Sequence, residues 1–188
     1  MTGAREWLTG CALSLLLVAL SLSAGPVQAD GSATSAQAQQ RARAVTQVVL
    51  GILSYARWPT EPVPLRLCLV GPTEYADDLI KGNVQNSGQP LQVRRLLADD
   101  RQVAQACDAV YIGKLDDAQR DRLFQAVSGH PVLSISEADD PCTVGSLFCL
   151  RVGDQQVAFE VNLDSVARSG VRIHPSVLQL SRRRGAVP

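Results

Sequence analysis

The apolar positions of this chain change period along its length, and the changes predict its elements. From Val45 to Ala56 apolar residues recur at steps of three and four, which predicts the buried face of a helix ending at Trp58-Pro59. Short apolar runs then predict strands over 65–69, 91–96, 109–113 and 132–136, separated by helices over 75–81, with Leu79 and Ile80 inward, and over 116–127. This β-α-β repetition predicts an α/β fold: a mostly parallel sheet with helices on both faces, in a Rossmann-like layering.

Beyond residue 142 the pattern predicts a C-terminal hairpin. Segments 147–152 and 157–162 flank the turn Gly153-Asp154. A short helix over 162–169 should end at Gly170, and Pro175 should begin a last helix that ends at residues 182–184.

The first 29 residues have the layout of a secretory signal peptide, with one Arg, an apolar core over 11–22 and small residues up to Ala29. An apolar core of about a dozen residues is short for a hydrocarbon layer about 30 Å thick, so we expect cleavage near Ala29 and export. Acylation at Cys11 is less favoured, because its lipobox-like residues precede the apolar core. Small polar residues over 30–40 predict a mobile lead-in, and 41–185 a single domain.

Charge and motifs exclude several classes of function. Lys and Arg number 18, as do Asp and Glu, so no basic surplus indicates a nucleic-acid partner. Gly-x-Gly-x-x-Gly and Walker A motifs are absent, as is a Gly-x-Ser-x-Gly elbow. The acidic residues over 137–140 lack the spacing of a calcium loop. We therefore expect neither an enzyme nor a cofactor or metal site.

Four cysteines follow the predicted leader: Cys68, Cys107, Cys142 and Cys149. In an oxidising compartment an even number predicts disulfides, and four cysteines allow three pairings. The short segment between Cys142 and Cys149, which contains Pro141 and Gly145, favours pairing these two and leaves Cys68 for Cys107. Zinc is disfavoured because the chain has no Cys-x-x-Cys.

Charged residues near the C-terminus predict a polar pocket. An extended backbone over 171–174 places Arg172 and His174 on one face. Glu160 lies opposite the apolar side of its strand, where it could pair with Arg168 or Arg172. Together the four residues could hold a carboxylate or phosphate group. The alternative is a solvated face.

Two further features suit protein recognition. Arg57 and Trp58 lie at a helix end and are residue types enriched at interface hot spots. Phe148 lies in the constrained loop beside Cys149, with Val166 on the following helix as a possible neighbour. Burial in the core is the alternative for both Trp58 and Phe148.

A family resemblance is carried by four segments: GILSYARWP, LRLCLVGPTEYADDL, CDAVYIG and SEADDPCTVGSLFCLRV. They resemble the YfiR family, and the similarity covers essentially the whole predicted mature chain. It implies a periplasmic repressor that binds the periplasmic sensor region of a membrane-bound diguanylate cyclase and inhibits it, which lowers cyclic di-GMP and biofilm formation. It also implies a homodimer, two intrachain disulfides and sequestration by an OmpA-like outer-membrane lipoprotein.

On this resemblance we expect the cyclase to contact Phe148 and Val166, with Glu160 at the rim. The lipoprotein would contact Arg57, together with the polar cluster at Arg172 and His174. Reducing a disulfide should loosen the repressor and activate the cyclase. The alternative function is a sensor of a small anionic ligand near Arg172 and His174, and a hydrolase using His174 is the least favoured.

Overall fold

The computed structural model describes residues 29–81, 85–86, 89–137, 142, 145–154 and 156–182. Residues 1–28, on which the signal-peptide prediction depends, lie outside this range. The helices are α1 (Ala29–Ser54), α2 (Asp77–Ile80), α3 (Val103–Ala106), α4 (Asp117–Val127), α5 (Leu163–Ser169) and α6 (Gln179–Arg182), and a 3-10 helix spans Pro175–Leu178. The strands are β1 (Ala56–Arg57), β2 (Leu65–Val70), β3 (Gln85–Asn86), β4 (Gln89–Leu96), β5 (Ala109–Ile112), β6 (Leu133–Ser136), β7 (Phe148–Val152), β8 (Val157–Val161) and β9 (Arg172–Ile173).

The main sheet has the strand order β4-β2-β5-β6-β7-β8. Its first five strands are parallel, and β8 pairs with β7 as an antiparallel hairpin. At the outer edge the two residues of β3 pair with β4, also antiparallel. The predicted α/β class, with a mostly parallel sheet and a C-terminal hairpin, is confirmed.

Helix α1 differs from its prediction at both ends. The structure describes this helix from Ala29 onward, so the segment 30–40 predicted as a lead-in is helical, and the side chains over 34–40 are exposed. Ala and Gln dominate this segment and favour helix. At its other end the helix stops at Ser54, because Ala56 and Arg57 turn into strand β1. The predicted inner face of the helix is buried.

The central parallel strands β2, β5 and β6 are buried on both faces, as the strands of covered parallel sheets are, whereas the side chains of Gln92, Arg94 and Arg95 on β4 are exposed. In β2, Leu65, Leu67 and Leu69 join the cluster beneath α1, whereas Cys68 and Val70 join the cluster beneath α3 and α4. Helices α1, α2 and α6 cover the first face. The predicted inward position is confirmed for Leu79, which is buried, and wrong for Ile80, which is 42% exposed because α2 has only one turn.

Main chain fills the crevice beyond the carboxyl ends of β2 and β5. The chain adds β4 on one side of β2 and β5 on the other, so this is the switch point at which doubly wound folds bind ligands. Here the Lys114 N–H donates to the Pro72 carbonyl at 2.8 Å. A Cβ on Gly113 would lie 1.9 Å from that oxygen, so the close approach requires glycine.

The opposite edge of the sheet, where β2, β5 and β6 begin, carries a second small sheet. Its strands β1 and β9 pair antiparallel. Helix α5 leads to β9: the Asn162 side chain accepts a hydrogen bond from the Ser165 N–H at 3.0 Å, and Gly170 ends the helix in the left-handed conformation, as predicted. Gly51 of α1 lies against Leu180 and lets α6 pack closely.

Candidate functional site

Four residues around the small sheet form one surface, which we call the β1–β9 surface: Tyr55, Arg57, Arg172 and His174. Arg57 and Arg172 are direct cross-strand partners, so their side chains share a face. The His174 backbone N–H donates to the Tyr55 carbonyl at 2.9 Å, and the two rings stack with centroids 6.1 Å apart. The structure thus gathers three of the predicted residues and adds Tyr55.

Positive charge dominates the β1–β9 surface. The Arg57 guanidinium donates to the Ser54 and Ala56 carbonyls at 2.8 and 2.6 Å, which caps the end of α1. Within the described ranges neither Arg57 nor Arg172 forms a salt bridge. Like charges directly opposite each other in a sheet repel, so an anion bound here would lower their repulsion.

Glu160 and Arg168 lie away from this surface. Glu160 pairs with Arg151, through contacts of 3.0 and 2.8 Å, instead of the predicted Arg168 or Arg172. The hairpin register places Arg151 and Glu160 on the same face, which explains the partner. Arg168 lines a separate cavity of about 150 Å³ beside His130 and Ser134. The four predicted pocket residues therefore do not form one cluster.

Phe148 is fully buried, so its predicted role as an exposed partner contact is wrong. Its ring packs edge-to-face on Phe159, with centroids 5.6 Å apart, and both rings belong to the core beneath α1. Val166 is half-buried against the same core. The exposed apolar side chain nearby is Leu163, which is 75% exposed at the start of α5. We call Glu160, Leu163 and Val166 the α5 surface.

The structure has the two disulfides that the sequence favours. Cys68 of β2 joins Cys107, which lies two residues before β5, and both are buried in the cluster beneath α3 and α4. Cys142 joins Cys149 of β7. The Asn162 amide also donates to the Cys142 carbonyl at 3.4 Å, which ties this loop to the start of α5.

A charged pair of a partly exposed arginine and a nearly buried aspartate lies at the amino-terminal edge of the sheet, and it was not predicted from the sequence. Arg66 Nε and Nη2 donate to the two Asp108 carboxylate oxygens at 2.9 and 2.7 Å, and the Arg66 backbone N–H adds a third bond. Because the Arg66 guanidinium donates hydrogen bonds to the Asp108 carboxylate, the pKa of Arg66 is raised. The Trp58 indole donates to the Asp108 carbonyl at 3.0 Å and is half-buried. Arg66 is the one charged residue in the apolar strand β2, and this position could have predicted that it has a charged partner.

A second buried polar group lies at the carboxyl-terminal edge. Glu137 follows β6 directly and is 7% exposed, and its carboxylate accepts from the Glu74 N–H. Its second oxygen and the Tyr111 hydroxyl are both buried, and the hydroxyl lies close enough to lower the pKa of Glu137, but neither atom forms a hydrogen bond of normal geometry among the described residues. Burial raises the pKa of Glu137, against the lowering effect of the Glu74 N–H. Burial also raises the pKa of Tyr111, and the Glu137 charge adds to this.

Two kinds of feature are absent from the described part of the chain. No three His, Cys, Asp or Glu side chains there are arranged to hold a metal ion. No described helix combines the length and apolar character needed to cross a membrane.

A family model, DUF4154, described as YfiR/HmsC-like, matches residues 42–182. The chain belongs to the YfiR/HmsC-like family. This stretch includes every strand of the main sheet, both disulfides and the β1–β9 surface. The resemblance noted from the four sequence segments is confirmed.

A solved structure that matches this YfiR/HmsC-like chain is an O-acetylhomoserine sulfhydrylase of Wolinella succinogenes, at 13% identity and a TM-score of 0.37. The match covers 57% of this chain, and the chain spans 35% of that enzyme. A likeness this slight has no bearing on fold or activity.

Membership in the YfiR/HmsC-like family indicates a periplasmic regulator of cyclic di-GMP signalling, and the family is regulatory rather than catalytic. It also implies interaction with the periplasmic sensor region of a diguanylate cyclase. The β1–β9 surface and the α5 surface are exposed parts of the domain on which such contacts could form.

Proposed function

We propose that this protein is exported to the periplasm, binds the periplasmic sensor region of a membrane-bound diguanylate cyclase and holds the enzyme inactive. The observation that carries this proposal is the family match over residues 42–182, which extends across the whole sheet. Cyclic di-GMP and biofilm formation would fall while the complex lasts. An OmpA-like outer-membrane lipoprotein would relieve repression by sequestering the repressor, since two partners that exclude each other are thermodynamically coupled.

The α5 surface is our candidate for the cyclase contact. Leu163 is an exposed apolar side chain, and Val166 lies on the same helix face three residues later. Glu160, paired with Arg151, precedes Leu163 by three residues and would supply the polar rim. Apolar groups inside a polar rim are typical of interface centres. Phe148 would support this surface from the core beneath it rather than touch the partner.

The β1–β9 surface is our candidate for capture by the lipoprotein, because its positive charge suits an acidic partner. Its facing arginines also support a second function, the sensing of a small anionic ligand bearing a carboxylate or phosphate group. Ligand at a hundredfold excess over its Kd would raise the free energy of unfolding by about 2.7 kcal/mol. Phosphate and citrate are suitable probes for thermal-shift measurement.

Two further parts of the proposal concern assembly and redox state. A homodimer would be detected by sedimentation of the oxidised protein. The disulfide between Cys142 and Cys149 braces the segment that leads into β7, beside the α5 surface. Reduction of this bridge should therefore relieve repression of the cyclase while the domain stays folded.

Cellular cyclic di-GMP tests the proposal directly. It should rise when this gene is deleted, and the rise should vanish when the partner cyclase gene is deleted as well. No rise in the single deletion under any growth condition would refute repression. A rise that persists in the double deletion would place the effect on another enzyme.

A matched pair of substitutions tests the α5 surface. Leu163→Asp should relieve repression, because it puts a charge at the centre of an apolar contact. Leu97→Asp is the control, since Leu97 is equally exposed at 76% but lies at the end of β4. Equal effects of the two variants on cyclic di-GMP, at equal protein level, would remove the α5 surface from the proposal.

A further inference from the structure

A cleft of about 440 Å³ opens at the amino-terminal edge of the main sheet. It lies between the loop that joins β1 to β2, the start of β4 and the end of α3. Three prolines of that loop and Pro131 form much of its wall, and the disulfide at Cys107 braces its back. Proline fixes its backbone torsion, so the cleft is preformed.

Trp58 forms one side of the cleft and is fixed in orientation. Its indole N–H is bonded to the Asp108 carbonyl at 3.0 Å, and the side chain is half-buried. The ring is thus held as an apolar plane at the edge of a water-filled space.

The polar groups of the cleft suit a neutral ligand. Arg66 and Asp108 cancel one another in a bidentate pair, so an ion would find little net charge. The Arg66 side chain is 38% exposed, and three of its five N–H groups are bonded, to Asp108 and to the Gln105 carbonyl. The side chains of Thr60 and Gln92 are exposed at the mouth and can both donate and accept.

From this arrangement we propose that the cleft binds a neutral saccharide of one or two rings. A sugar ring has an apolar face that can lie on the Trp58 indole and hydroxyl groups at its rim. Those hydroxyls would bond to Arg66, Thr60 and Gln92. The volume is within the range of small-molecule sites, about 300–1,000 Å³. This site is separate from the β1–β9 and α5 surfaces and does not depend on the proposed repression.

Trp58 itself supplies the assay. The chain contains two tryptophans, Trp7 and Trp58, so a Trp7→Phe chain reports from the cleft alone, whether or not the leader is removed. N,N′-diacetylchitobiose and maltose would be titrated while the fluorescence emission and the indole N–H resonance are followed. Benzoate is the contrasting probe, because it offers a planar apolar ring with a charge. We expect saturable shifts with at least one sugar and none with benzoate.

Substitutions then locate the sugar. Gln92→Ala should weaken its binding about tenfold, and Gln125→Ala, the same change on exposed helix α4, should leave it unchanged. The proposal is overturned if neither sugar changes the fluorescence emission or the indole N–H resonance of Trp58. Saturation with benzoate but not with sugars would overturn the ligand class, and equal loss in both variants would overturn the location.

Discussion

Replacing Glu137 with glutamine should change the pH dependence of stability. Glu137 is buried without a cation beside it, one carboxylate oxygen has no partner, and burial raises its pKa. The folded protein therefore binds more protons than the unfolded chain. The free energy of unfolding therefore falls as the pH rises from the pKa of Glu137 in the unfolded chain, near 4.5, through its higher pKa in the folded protein.

The size of the effect follows from the contacts of Glu137. In Glu137→Gln the amide oxygen still accepts from the Glu74 N–H, and the new NH₂ group can donate to the Tyr111 hydroxyl. At pH 8 the variant avoids burying an unsatisfied charged oxygen, so it should be more stable than the wild type by about 1–3 kcal/mol. At pH 4.5 the two proteins should differ little, because Glu137 is then protonated.

Urea unfolding at a series of pH values from 4.5 to 8 measures this difference directly. Glu160→Gln is the control: Glu160 is exposed and paired with Arg151, so its loss should cost less than about 1 kcal/mol, with the opposite sign. A difference between wild type and Glu137→Gln that is the same at pH 4.5 and pH 8 would refute the reasoning.

Other predictions concern covalent and backbone constraints. Replacing Cys68 and Cys107 with serine opens a loop of 39 residues and should lower the free energy of unfolding by about 4 kcal/mol. Replacing Cys142 and Cys149 opens a loop of 7 residues and should lower it by about 2.5 kcal/mol. Chemical denaturation of the oxidised proteins measures both losses, and a larger loss for the shorter loop would contradict the loop-closure argument. Gly113→Ala should cost about 1–3 kcal/mol, because its Cβ would strike the Pro72 carbonyl. Gly153→Ala is the control: its Cβ would lie 3.4 Å from the nearest atom, so it should lower the free energy of unfolding by less. Equal melting temperatures for the Gly113→Ala and Gly153→Ala variants would show that the crevice between β2 and β5 can relax.

Periodicity predicts the parts of this fold that are repeated along the chain. Apolar runs locate β2, β5 and β6, and the alternation in 147–162 predicts the hairpin, because burial on one or both faces leaves a regular trace in the sequence. Two-residue strands leave no such trace. Strand β1 was therefore missed, and α1 was extended to Trp58.

Side-chain partners were harder to predict than elements. The pairing of Glu160 with Arg151 depends on the register of the hairpin, which fixes which residues share a face. The Arg66–Asp108 pair joins residues 42 positions apart, which the parallel pairing of β2 with β5 and the neighbouring Cys68–Cys107 disulfide bring together. Phe148 allows two predictions: its alternation with Leu150 predicts burial in the core, and its place beside Cys149 predicts a contact made by the loop. The structure shows burial in the core.

The contact between Gly113 and Pro72 moves the expected binding sites of this molecule from the carboxyl ends of its parallel strands to their amino ends. Doubly wound proteins usually present their chemistry at the pole where parallel strands finish, and here that pole is sealed by backbone. The cleft beside Trp58 and the facing arginines lie instead at the pole where those strands begin. A fluorophore or affinity handle attached at exposed Pro72 would therefore sit at the pole opposite the cleft and the β1–β9 surface, and that position is suited to immobilising the protein for measurements of binding at those two places.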